Sequence, residues 1–210
     1  MAVTAVTGRV GAAGEREDRR TWGGYATGFA QQMSGANFRR GDLAQLRRMN
    51  PDTPDAPVYW RLLASRELLG DPEWERKWAL ILHGIALMTR APIGAQVGRV
   101  AHDNQTPVGR ALFQGGEAGR RESGYFSESR LSRLLTARGP ALRALLGRMF
   151  RMMAAANQPF NWFEMARLIL CEGHDEEGTE QARHRIAREY YRAEQRSLRT
   201  AGEQRRSTGA

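Results

Sequence analysis

Cysteine is almost missing from this 210-residue chain: Cys171 stands alone, which excludes an internal disulfide and suits a reducing compartment. Lysine is just as rare, since Lys77 is the one basic residue of 32 that is not arginine. Apolar runs are short. The longest, Trp78 to Met88, is broken by His83 and Gly84 and falls well below the ~20 residues that span a bilayer, so it predicts a buried helix and no membrane association. The first twenty residues lack the apolar centre of a signal peptide, and a soluble, cytoplasmic protein is expected.

Sites of catalysis are missing as well. The four histidines and Cys171 share no ligand spacing beyond Cys171-x-x-His174, too few donors for a structural zinc, so no metal and no cofactor is expected. His83 is expected to be packed or hydrogen-bonded in its helix, and His174 exposed. Neither a Gly-x-Ser-x-Gly elbow nor a Gly-x-x-x-x-Gly-Lys loop occurs, and Gly115-Gly116 has no strand before it. The residues therefore argue against an enzyme.

What the chain has in excess is arginine. It carries +9 at pH 7, and Ser127 to Ala155 holds six arginines against Glu128 alone. A GC-rich coding bias contributes to arginine over lysine but does not decide where the charge sits. Arginine, planar and always charged, is suited to phosphates and bases, so nucleic acid is the first partner to consider. Glu172 to Ala182, by contrast, has Glu172, Asp175, Glu176, Glu177 and Glu180 with no arginine or lysine, and is expected to face away from any polyanion or to meet a basic protein neighbour.

Apolar spacing predicts an all-α protein of two small helical bundles joined by a loop-rich linker. Residues 1–20 are expected to be disordered, 21–100 to form an N-terminal lobe, 101–126 a linker with a short helix over Val108–Phe113, 127–198 a C-terminal lobe, and 199–210 a mobile tail. Leu43, Leu46 and Met49 mark one helix, and Tyr59, Leu62, Leu63 and Leu69 the next, with Pro57 suited to opening it. Asp71-Pro72-Glu73 supplies a cap, a first-turn proline and an early acid for a helix ending near Arg90. Ser127 and Asn161 are placed to cap two more helices, and a final one is expected over roughly Thr179–Arg196.

The arginines keep a consistent position on these helices. After Pro140, Arg143, Arg151 and Arg148 fall at about 0°, 80° and 140° around the axis, beside the stripe of Leu142, Leu145, Leu146, Met149 and Met153. Arg130 and Arg133 flank Leu131, Leu134 and Leu135, while Arg39, Arg40, Arg47 and Arg48 flank Leu43 and Leu46. Few aromatics accompany them, Phe126 and Phe150 being the nearest, which disfavours a base-stacking platform. The Arg138-Gly139-Pro140 junction is a poor helix-turn-helix because the helix after it is too apolar to read a groove. Backbone contact without base readout is the expected mode.

Several pieces in order resemble the small subunit of the type I-E CRISPR surveillance complex Cascade, the CasB family. They are Leu43-Ala44-Gln45-Leu46-Arg47-Arg48, Tyr59-Trp60-Arg61-Leu62, Val108-Gly109-Arg110-Ala111-Leu112, Ser127-Glu128-Ser129-Arg130-Leu131-Ser132-Arg133-Leu134-Leu135 and Asn161-Trp162 leading to Met165-Ala166-Arg167, spanning roughly Gly41 to Tyr191. The resemblance implies a helical protein of two lobes that cleaves nothing. Its implied partners are the guide-coating backbone subunits, the large subunit, another copy of itself, and the R-loop of guide RNA, target DNA and displaced strand. By position, Arg48, Arg110, Arg130 and Arg151 look like the family's basic residues, with Arg47, Arg133, Arg143 and Arg148 as neighbours. Departures are Glu172, His174 and Asp175 where relatives carry basic residues, and an uncertain counterpart at Arg76 or Lys77. Two other readings stay open: a scaffold whose arginines meet acidic proteins, and an independent DNA-binding regulator.

Overall fold

The computed structural model describes residues 12–90, 98–115 and 125–208. Expectations for 1–11 and for much of the linker, with Gly94, Gly116, Gly119, Glu117 and Glu122, lie outside the described residues. Within them the chain is all helical: α1 (Ala12–Ser34), α2 (Arg40–Arg48), α3 (Pro57–Ala64), α4 (Pro72–Met88), α5 (Val108–Gln114), α6 (Glu128–Thr136), α7 (Gly139–Ala155), α8 (Trp162–Cys171) and α9 (Glu176–Thr208). The extended pairings among the described residues are isolated bridges, Arg90 with Arg99 and His102 with Phe160.

Local chemistry sets most helix starts. Asp71 accepts a hydrogen bond from the Glu73 N–H at 2.8 Å and Asn161 accepts one from the Phe163 N–H at 2.9 Å, so both cap as expected. Proline stands in the first turn of α3, α4 and α7, where its missing N–H costs nothing. Ser127 does not cap α6 through its side chain; its hydroxyl pairs with that of Ser129 at 3.2 Å.

Two elements differ from the sequence expectation. Helix α1 begins at Ala12, inside the stretch read as disordered, and buries Ala26, Phe29, Ala30 and Met33 at helical spacing. The small residues of that stripe made it easy to overlook, and Gly23 lets the helix lie against the Phe163 ring, 2.3 Å from where a Cβ would sit. Helix α9 runs on to Thr208 through the stretch read as a mobile tail, because its Ala, Glu, Gln and Arg all favour helix.

Helix α4 is the axis of the molecule, with all but one of the residues from Lys77 to Met88 buried. It touches α1, α2, α3, α7 and α8, α1 also packs on α8, and the buried side chains of both halves join into one cluster. Gly84 makes the crossing possible, since a Cβ there would lie 2.7 Å from both Phe150 and Trp162. The approach to α8 is pinned too: Trp162 donates its indole N–H to the Ala101 carbonyl at 3.1 Å, and Asn161 its backbone N–H to Thr106 at 2.8 Å.

Candidate nucleic-acid interface

The end of α2 is fixed by the burial of Leu43 and Leu46, which directs Arg47 toward the last turn of α4. Its Nε donates to the Ala86 carbonyl at 2.8 Å and its Nη2 to the Thr89 carbonyl. Those are orphan acceptors of a helix C-terminus, where a cation also suits the macrodipole. Burial pushes the Arg47 guanidinium below its ordinary value, and the charge of Arg90 adds to the effect. Arg90 and Arg99 exchange backbone hydrogen bonds of 2.9 and 2.8 Å, and with Arg47, Met88, Thr89 and Ala154 of α7 they line an open depression of about 320 Å³. Arg151 stands one turn before Ala154, exposed, and its charge reaches His83.

The other expected residues are distributed as follows. Arg48, Arg133, Arg148 and Arg151 are exposed and form no ion pair among the described residues. Arg130 is exposed, with Nη1 4.0 Å from the Met152 sulfur. Arg110 is half-buried on α5, its Nε buried and unpartnered. Arg143 is tied to Asp52 at 3.0 Å, joining α7 to the α2–α3 connector. Arg39 and Arg40 are exposed at the start of α2, about 12 Å along the axis from Arg48 and away from the depression.

The acidic turn is partly neutralised within the chain. Arg138 meets Glu180 at 2.8 Å and Glu176 at 3.9 Å, Arg183 meets Glu180 at 2.6 Å, and Glu172 accepts the Gly139 N–H at 2.7 Å. The Arg183 hydrogen bond, opposed by partial desolvation, holds the Glu180 carboxyl below its usual range, with the Arg183, Arg138 and His184 charges assisting. This corner lies about 18 Å along α7 from Arg151, so these acids and Arg151 sit far apart on one helix.

Sequence reasoning missed Arg90 and Arg99, which sit where helical periodicity fades and become neighbours only through the bridge. Lys77, by contrast, is spent internally, on Leu170 O at 3.3 Å, Glu73 at 3.3 Å and the face of Trp74. His83 is buried and His174 exposed, as expected, and no group of three or more metal-ligating side chains forms among the described residues. No described helix is long and apolar enough to cross a membrane.

Fold and surface together define an all-helical protein with an arginine-lined cleft near one end of α7 and a partly neutralised acidic corner near the other. The sequence profile described as CRISPR-associated protein Cse2 matches residues 42–191, and the chain belongs to that family. It is thereby a non-catalytic subunit of a Cascade complex in CRISPR defence. The match begins in α2 and ends in α9, close to the span of the motif resemblance. No curated protein and no solved structure matches the chain significantly.

Proposed function

We propose that this subunit steadies the R-loop of its Cascade complex through arginine–phosphate contacts to target and displaced strands. The observation that carries the proposal is the set of exposed arginines, Arg48, Arg133, Arg148 and Arg151, that form no ion pair among the described residues although acids are plentiful elsewhere. Arg110 and Arg130 extend the set along α5 and α6. Arg143 and Arg47 serve it less directly, because each already holds a group of its own chain. The energetics are modest, since exchange of a DNA duplex for a guide–target duplex is nearly balanced and a few backbone contacts tip it.

Arg48, Arg110, Arg130 and Arg151 replaced together by alanine should weaken R-loop retention by the complex while assembly with the backbone and large subunits persists. Loss of assembly with DNA retention intact in whatever complex forms would favour the scaffold reading, and unchanged DNA locking would refute the proposal. Footprinting with the isolated parent chain distinguishes a regulator, which would protect a defined sequence.

A further inference from the structure

We propose that the depression between the ends of α2 and α4 is a phosphate seat built by Arg47, Arg90 and Arg99, with Arg151 one turn from its Ala154 wall on α7. The inference deepens the R-loop reading and rests on it only for the source of the phosphate. Arg90 and Arg99 are a directly opposed, hydrogen-bonded bridge pair, each donating its N–H to the other's carbonyl. Opposed residues of such a pair project to the same side with Cβ atoms about 4.5–5.5 Å apart, and like charges there destabilise the pairing. Arg47 adds a third positive group to the same wall, close enough that Arg90 disfavours its charge. Among the described residues no carboxylate lines the space, and neither Arg90 nor Arg99 forms an ion pair.

Gathering three guanidinium groups without an acid costs free energy that an anion would recover. Arg47 is also held in place by the Ala86 and Thr89 carbonyls, and its guanidinium has more donors than those two bonds use. A cation already immobilised loses little freedom when it grips a ligand. The volume, about 320 Å³, is ample for a phosphate group, and the described lining holds no aromatic ring on which a base could stack.

The test titrates the full chain with inorganic phosphate, and separately with a single-stranded oligonucleotide, at constant ionic strength. Arg90→Gln and Arg99→Gln should each lose roughly tenfold in phosphate affinity, as expected for one charge-assisted hydrogen bond. Arg192→Gln, on α9 and paired with Glu189, should bind as the parent does. Parent-like phosphate binding by Arg90→Gln and Arg99→Gln, an equal loss in Arg192→Gln, or no saturable binding by the parent would overturn the seat. Oligonucleotide binding that weakens in the same two variants assigns the phosphate to a nucleic-acid backbone. If phosphate binds there and the oligonucleotide does not compete, the seat stands for a free anion and the R-loop reading fails at this position. If instead oligonucleotide binding depends on Arg48 and Arg151 but not on Arg90 and Arg99, the R-loop reading stands and the seat falls.

Discussion

His83 shows at the scale of one residue how this fold spends a titratable group. It lies on α4 against α2, its Nδ1–H donating to the Leu46 carbonyl at 2.9 Å. Burial pushes its pKa below the ordinary 6.5; the Leu46 hydrogen bond opposes the shift and the charge of Arg151 adds to it. Above about pH 6.5 neither folded nor unfolded chain is protonated at this position, so His83 makes no pH-dependent contribution. As the pH falls through that value the unfolded chain takes a proton that the folded chain resists, and stability drops until the lower folded pKa is reached. Urea unfolding at about pH 7.5 and about pH 5.5 should show this loss in the parent and a flatter response in His83→Gln, a window above that of ordinary carboxylates. Equal losses in both would show that the imidazole does not resist protonation. The same residue illustrates legibility: its burial was readable from the apolar run around it, whereas its partner on α2 was not.

Helix pairing explains, at the next scale, why glycine stands in the Gly-Arg-Ala-Leu element. A Cβ on Gly109 would lie 2.0 Å from the Ile186 carbonyl oxygen and 2.7 Å from the Tyr190 nitrogen, both backbone atoms of α9. Gly109→Ala should therefore push α5 from α9 and destabilise the protein by about 1–3 kcal/mol, measured by denaturant unfolding. Gly202→Ala, in the same α9 but with nothing near the added atom, should be neutral or slightly stabilising. Equal effects would mean that helix propensity and not close approach governs both sites. Buried Glu164 secures the same junction, accepting from the Val108 N–H at 3.1 Å and pairing with Arg185 at 2.9 Å. The sequence revealed α2 to α8 because large apolar residues recur there at helical spacing, often with a cap or a first-turn proline. Helix α1 was obscure because its buried stripe is half alanine, a residue that marks no face.

The charge of the whole molecule is separated by internal neutralisation. Arg138 and Arg183 pair with Glu176 and Glu180 at one end of α7, and Arg148 and Arg151, which form no ion pair among the described residues, lie in its second half. Duplex DNA affinity should then fall with salt at ~0.9 in log–log slope for each phosphate engaged, and replacing both Arg148 and Arg151 by alanine should reduce the slope by about 2. A slope near zero in the parent would assign these arginines to protein partners. Packing acts at this scale as well: α4 carries the core from the amino-terminal helices to α7 and α8, so the arginines of α2 and α7 are held on one framework.

Helical periodicity, caps, motif order and the excess of arginine were properties of the chain itself, because each depends on residues within a few turns of one another. Tertiary structure alone decided which arginines stay available. Arg47 and Arg143 lie among the same kind of neighbours as Arg48 and Arg148, yet the first pair is held by groups far along the chain, at Ala86 and Asp52. Arg90 and Arg99, which no periodicity marks, meet through an antiparallel bridge. Charge acts through distance in space, and spacing along the sequence determines that distance only inside a single helix.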